Sequence, residues 1–139
     1  EKNYDYVFHI RNRKLRSEDN WSIENWKKLL ELLDSDNVAC IGTKGESGHI
    51  AGTQDLRDIT LSETFDVLRN TKCLFGPSSG PMHLSSLCGC PHFVWSRKEN
   101  YTRYTENWNP LKTKVLFDST HSWHPSPQYV FEEFTKWIS

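Results

Sequence analysis

The residues best suited to chemistry form one short run, Gly76–Pro81 (GPSSGP), which His83 follows closely. The run joins an apolar segment typical of a strand to a segment typical of a helix. Backbone amides at the start of a helix, together with the positive end of the helix dipole, attract anions such as a diphosphate. Gly80 would let a ligand approach the backbone closely, and Ser78 and Ser79 carry hydroxyl donors. The run therefore predicts an anion-binding site.

His83 adds a nitrogen donor to this prediction. It lies four residues after Ser79, which places both on the same side of the first turn if the helix starts there. The imidazole could then donate to a phosphate oxygen. The alternative is structural: Ser79 only caps a short helix, and His83 is a half-buried polar residue. Residue types and spacing leave both readings open.

Strands and helices alternate along the chain and position this run. The predicted strands cover residues 4–10, 38–42, 72–75, 91–95 and 114–117, and residues 56–60 are expected to form a weaker strand or a turn. Predicted helices follow Ser22, Thr60 or Ser62, and Pro81, and a last helix covers residues 127–138. Parallel strands need long right-handed crossovers, which helices supply. The alternation therefore predicts one α/β domain over residues 1–139, built on a doubly wound, Rossmann-like parallel sheet.

Ligands of such sheets bind in the crevice beyond the carboxyl ends of the strands. Four predicted loops meet there: residues 11–20, 43–52, 76–80 and 96–112. The first loop carries four basic residues: Arg11, Arg13, Lys14 and Arg16. Each could form charge-assisted hydrogen bonds with a diphosphate, and a solvated basic loop is the equally open alternative.

Three aromatic residues in the last of these loops are further candidates. Tyr101, Tyr104 and Trp108 could cover a ligand or stack on it. The alternative is that they pack against another domain.

Composition excludes several classes of partner. Lys and Arg number 17 against 18 Asp and Glu, so the net charge provides no argument for nucleic acid. No apolar run approaches the ~20 residues of a membrane-spanning helix. The spacing of Cys88, Cys90 and His92 matches no common zinc pattern, so no metal site is predicted. The four cysteines are expected to be free thiols in a reducing compartment, which indicates a cytoplasmic location.

The segment from Phe75 to Trp95 (FGPSSGPMHLSSLCGCPHFVW) resembles the donor-site signature of the heptosyltransferase family, glycosyltransferase family 9. In that family Asp-Ser-Gly is followed by His-Leu-Ala and then by a Gly-x-Pro strand. The order of elements along the whole chain is similar to the C-terminal half of the family. The resemblance implies the C-terminal, donor-binding domain of a GT-B glycosyltransferase, with an N-terminal acceptor domain outside this chain.

The resemblance also implies roles for individual residues. The donor diphosphate is expected to contact Ser78, Ser79, Gly80, Pro81 and His83. Ser78 departs from the pattern, since it stands where the family usually has Asp. Glu46 is similar to the acidic residue that often contacts the base or the ribose, and Arg11, Arg13 and Lys14 would supply positive charge.

The implied activity is inverting, metal-independent transfer of a hexosyl or heptosyl group. The nucleotide diphosphate sugar is the donor substrate, no cofactor is expected, and a glycan or glycolipid acceptor would bind through the N-terminal domain. No catalytic residue is expected in this chain, because the general base belongs to that other domain. The chain alone is therefore expected to be catalytically incomplete, and the full-length protein to be cytoplasmic or peripheral at the inner face of a membrane.

Two other functions stay open. One is a non-catalytic module that binds nucleotide sugars, suggested by Ser78 in place of the usual Asp. The other is a sugar-nucleotide epimerase-like enzyme, which would form product without an acceptor.

Overall fold

A computed structural model describes residues 3–139. Its six strands are β1 (Tyr4–Phe8), β2 (Val38–Gly42), β3 (Gln54–Arg57), β4 (Thr71–Pro77), β5 (His92–Trp95) and β6 (Val115–Asp118). Its four α-helices are α1 (Ile23–Leu33), α2 (Leu61–Arg69), α3 (Gly80–Cys88) and α4 (Pro127–Ile138). Short helical turns lie at Ser17–Asp19, Lys98–Asn100 and Arg103–Asn107.

The six strands form one parallel sheet in the order β3-β2-β1-β4-β5-β6. The chain winds outward from β1 to β3, returns to the centre as β4, and winds outward again on the other side. The direction of winding therefore reverses between β1 and β4, where the loops that follow the two strands diverge and leave a crevice. The predicted doubly wound, Rossmann-like sheet is confirmed.

Helices cover both faces of the sheet. α1 and α4 pack on one face, where Trp26, Leu29, Val130 and Phe134 join one apolar core. α2 and α3 pack on the other face, with Leu68 and Met82 in a second core. Such two-sided cover buries residues 38–41 of β2 and 73–77 of β4, which is why these stretches contain no charged residues, whereas Lys72 near the start of β4 is exposed.

Side-chain caps fix where three helices begin. Ser22 accepts a hydrogen bond from the Asn25 amide, Thr60 and Glu63 form a capping box, and Ser126 accepts from the Tyr129 amide. Each cap satisfies an amide that has no partner inside its helix.

Three tryptophans form the centre of the first core. Trp21, Trp26 and Trp95 are each at most 2% exposed. The ring centroid of Trp21 lies 4.9 Å from that of Trp26 and 4.7 Å from that of Trp95. The cluster joins α1 to β5 across the reversal of the sheet.

Some predicted boundaries were wrong. β1 ends at Phe8, because the following residues pair with the loop after β2: Gly48 N–H donates to Ile10 O, and Arg11 bridges Ser47. β3 ends at Arg57, because Asp58 adopts a left-handed conformation with φ 63°.

Helical spacing places Leu61 in the apolar stripe of the second predicted helix and Leu87 on the inward side of the third, and both predictions were wrong. Leu61 and Leu87 are 62% and 49% exposed. Within residues 3–139 no helix has the length and apolar character needed to cross a bilayer.

Candidate functional site

A cleft of about 640 Å³ opens where the sheet reverses direction. Ten of the residues predicted from the sequence line it: Arg11, Arg13, Arg16, Glu46, Ser78, Ser79, Gly80, Pro81, His83 and Trp108. Lys14 is exposed and is not part of the lining. The structure therefore brings together residues from the loops after β1, β2 and β4.

Residues 78–81, at the start of α3, and His83 form one wall of this cleft. The first amides of an α-helix have no intrahelical partner, and Pro81 has no N–H, so Gly80 and Met82 supply the donors of the first turn. Ser79 makes no side-chain cap on α3. Its hydroxyl lies instead 3.0 Å from Nδ1 of His9. Ser79 is thus held by tertiary contacts and not by a capping role.

Tyr104 forms hydrogen bonds with Ser78 and Ser79, the residues just before α3. Its hydroxyl lies 3.0 Å from Ser78 Oγ and accepts a hydrogen bond of 3.2 Å from the Ser79 amide. The ring is fully buried, and burial raises the pKa of Tyr104 to about 12. The hydroxyl therefore stays neutral and takes the Ser79 amide out of the set of free donors.

His83 is held by aromatic rings. It stacks on Tyr104 with ring centroids 4.1 Å apart and an interplanar angle of 14°, and it meets the edge of Trp108 at 4.6 Å. Burial, with a contribution from nearby Arg103, lowers the pKa of His83 to about 4. Its Nδ1 is buried and has no hydrogen-bond partner among residues 3–139. A neutral imidazole at pH 7 can therefore present only Nε2 to the cleft.

The basic loop after β1 is ordered by one of its own arginines. Arg11 is buried, and its guanidinium donates to the carbonyl oxygens of Leu15 and Arg16, each at 3.0 Å, and to Asn20 Oδ1. Arg13 pairs with Glu46 at 3.1 Å. Arg11 thus shapes the cleft wall, while the Arg13–Glu46 pair spans the loops after β1 and β2.

His9 lines the same cleft, although it is not among the residues predicted from the sequence. It follows β1 directly and is 5% exposed. Its Nδ1 faces Ser79 Oγ at 3.0 Å, and its Nε2 faces Ser47 Oγ at 3.1 Å. Burial, and to a lesser extent Arg11, lower the pKa of His9 to about 4. A polar residue at the end of a central parallel strand was the signal that could have found it.

Two glycines make room for His9. A Cβ on Gly76 would lie 3.0 Å from the His9 carbonyl oxygen, and one on Gly42 would lie 3.1 Å from His9 Cδ2 and 2.2 Å from Ser47 Oγ. Gly42 also has φ +123°, a conformation that L side chains rarely adopt.

Gly42→Ala is therefore expected to destabilise the protein by about 2 kcal/mol, through backbone strain and the clash with Ser47. Urea unfolding measures the change. Gly45→Ala is the matched control, because a Cβ there meets nothing within 4 Å. Equal unfolding midpoints for the two variants would contradict the described packing of Ser47 against Gly42.

Residues 3–139 contain no group of three or more His, Cys, Asp or Glu side chains placed to hold a metal ion. Two further arginines, Arg97 and Arg103, line the cleft on the side of β5. Arg103 also lies over the Trp108 ring, 5.3 Å from its centroid. Positive charge in the cleft thus comes from arginines on both sides of α3.

The parallel sheet, its reversal between β1 and β4 and the cleft at that point define a Rossmann-like α/β domain of the kind found in GT-B glycosyltransferases. Among solved structures, the chain is similar to E. coli heptosyltransferase WaaC with ADP, with a TM-score of 0.67 and 15% sequence identity. The similarity covers 99% of this chain and 45% of that chain. No protein-family model and no curated protein matches. The predicted heptosyltransferase-like fold is confirmed.

Proposed function

We propose that this chain is the donor-binding domain of an inverting, metal-independent glycosyltransferase, and that the start of α3 binds the diphosphate of a nucleotide sugar. The observation that carries the proposal is the placement of Ser79, Gly80 and His83 in one cleft at the reversal of the sheet. The similar heptosyltransferase WaaC was solved with ADP, which supports a nucleoside diphosphate as the ligand.

The donors in the cleft suit a diphosphate. The Gly80 and Met82 amides and the helix dipole attract negative charge, and Nε2–H of His83 can donate a further hydrogen bond. Because His83 is neutral, its contribution is a directed hydrogen bond and not a full positive charge. Arg97 and Arg103 supply the charge.

In the proposed reaction, an acceptor hydroxyl attacks the anomeric carbon of the sugar from the face opposite the diphosphate. The bond between that carbon and the diphosphate oxygen breaks, and the electron pair leaves with the diphosphate. A general base takes the acceptor proton, and we place that base in an N-terminal domain that also binds the glycan or glycolipid acceptor. The donors at the start of α3 stabilise the charge that develops on the leaving diphosphate.

One observation favours a second candidate, a non-catalytic module that binds nucleotide sugars. Ser78 stands at the position of the family's usual Asp, and its hydroxyl is taken up by Tyr104. A transfer assay on the full-length protein separates the two candidates, since only the enzyme glycosylates an acceptor. Product formed without any acceptor would instead indicate an epimerase-like enzyme.

Binding of the donor can be tested on this chain. Titration with ADP, UDP and GDP is expected to move the backbone amide resonances of Ser78, Ser79, Gly80, Met82 and His83 more than those of the rest of the chain. If saturating concentrations of all three left these resonances unmoved, the proposed function would be wrong.

Substituting Gly80 separates binding from folding. A Cβ at Gly80 meets nothing within 4 Å, so Gly80→Ala should leave the unfolding free energy equal or raise it by up to about 1 kcal/mol. The same Cβ would stand between the helix start and the diphosphate, so the Kd is expected to rise about tenfold or more. Calorimetric titration measures the Kd, with Gly45→Ala as control. Unchanged affinity in Gly80→Ala would mean that the ligand binds elsewhere.

A further inference from the structure

His9 connects two serine hydroxyls at the base of the cleft. Its Nδ1 lies 3.0 Å from Ser79 Oγ, and its Nε2 lies 3.1 Å from Ser47 Oγ. Ser47 is 3% exposed and His9 is 5% exposed, whereas Ser79 is partly exposed and lines the cleft. The hydrogen-bonded chain of side chains Ser47–His9–Ser79 therefore runs from the interior of the domain to the surface of the cleft.

A neutral imidazole has one donor nitrogen and one acceptor nitrogen, so this chain has a direction. If Nε2 carries the proton, Nδ1 accepts a hydrogen bond from the Ser79 hydroxyl. Ser79 can then only accept from a ligand. If Nδ1 carries the proton, it donates to Ser79 Oγ, and the Ser79 O–H is free to donate into the cleft. An anion offers acceptors only, so its binding selects the second arrangement.

We propose that His9 is a positioning residue that turns the Ser79 hydroxyl into a donor toward the bound diphosphate. In this arrangement Ser47 O–H donates to His9 Nε2, His9 Nδ1–H donates to Ser79 Oγ, and Ser79 O–H donates to a phosphate oxygen. The inference rests on the proposed function, because it concerns the same site.

The surroundings of His9 hold this arrangement in place. The backbone approaches the His9 imidazole at Gly42 and the His9 backbone carbonyl at Gly76. A Cβ on Gly42 would collide with Ser47 and His9, and a Cβ on Gly76 would lie too close to the His9 carbonyl oxygen. His9 N–H donates to Phe75 O at 2.9 Å, which fixes its backbone to β4. Burial also keeps the imidazole neutral at pH 7, as the direction of the chain requires.

Substitutions at His9 test the inference through the affinity for the nucleoside diphosphate that the wild-type protein binds best. His9→Asn keeps an amide nitrogen at the same number of bonds from Cβ as Nδ1, so it should stay within about threefold of the wild-type Kd. His9→Gln moves the amide to the position of Nε2, and its Kd is expected to rise about tenfold. His124→Gln is the matched control, because His124 is exposed and does not line the cleft.

A double-mutant cycle separates positioning from general damage to the fold. In the Ser79→Ala background, His9→Gln should cause no further loss of affinity, because the hydroxyl that it orients is already absent. If the fold-changes in Kd of His9→Gln and Ser79→Ala multiplied in the double variant, the inference would be overturned. An unchanged Kd in His9→Gln would overturn it as well. Both outcomes leave the proposed function intact if the wild-type protein binds, whereas a wild-type protein that binds none of ADP, UDP and GDP overturns both.

A second measurement needs no variant and so does not depend on the folding of His9→Gln. The ¹⁵N chemical shifts of the His9 ring in the nucleotide-bound wild-type protein report which nitrogen is protonated. Protonated Nδ1 with unprotonated Nε2 is expected. The reverse tautomer would overturn the inference.

Discussion

The protein is expected to be less stable at pH 5 than at pH 7 by roughly 4 kcal/mol. Three histidines account for this: the pKa values of His9, His83 and His92 are all lowered to about 4, with burial as the largest cause in each case. In the unfolded chain a histidine titrates near 6.5. Between pH 6.5 and about 4 the unfolded state therefore binds protons that the folded state excludes.

The sign follows directly from this difference in proton uptake. Stability rises with pH wherever the unfolded state binds more protons, so these histidines cause no loss above pH 6.5 and a growing loss below it. Each fully buried histidine contributes at most about 1.4 kcal/mol per pH unit. His83 is only half-buried and is expected to contribute less, because solvent screens its charge.

Urea unfolding at pH 7 and pH 5 measures the effect. His92→Asn provides the informative variant: His92 is fully buried, and its Nδ1 donates to Cys90 O at 2.9 Å, a bond that an amide can replace. Removing this titrating group should reduce the pH dependence by about one third or more. A wild-type protein equally stable at both pH values would show that these imidazoles are solvated.

Trp26→Ala is expected to cost about 3–5 kcal/mol, the range typical of deleting a buried tryptophan. Trp26 is fully buried, and its ring centroid lies 4.8 Å from that of Phe8 and 4.9 Å from that of Trp21. Domains of this kind have unfolding free energies of about 5–15 kcal/mol, so the variant should lose a large part of its stability.

Trp26→Phe should cost much less. The Trp26 Nε1 has no hydrogen-bond partner within residues 3–139, so replacing the indole breaks no hydrogen bond and the cost comes from lost volume alone. Chemical unfolding compares both variants with Leu61→Ala, which removes a side chain that is 62% exposed and should change stability by less than about 0.5 kcal/mol. A Trp26→Ala midpoint equal to that of Leu61→Ala would contradict the described core.

Much of the fold was predictable because its determinants are local. Apolar runs such as residues 38–42 and the helical spacing of Trp26, Leu29 and Leu33 are visible in the sequence, and alternating elements leave few topologies. Leu61 was predicted wrongly: it shares a helical face with Leu68, but Leu68 is buried in the core and Leu61, in the first turn of α2, is 62% exposed.

The site was predictable only as far as its parts follow one another in the chain. Ser79, Gly80 and His83 were found because a strand, a tight turn and a helix succeed each other there. The partners of Ser79 are distant in sequence: His9 is 70 residues away, and Tyr104 is 25 residues away. No spacing rule connects such positions, because only the sheet order brings the end of β1 beside the end of β4.

The three hydrogen bonds that the Arg11 guanidinium donates have a consequence for the energetics of association. Its bonds to Leu15 O, Arg16 O and Asn20 Oδ1 restrain the backbone of the loop after β1. A flexible loop would lose freedom on complex formation, at about 0.5–1.5 kcal/mol for each long side chain immobilised. Here the loop backbone loses this conformational entropy when the protein folds. A ligand that contacts the loop would therefore lose less binding free energy to ordering it.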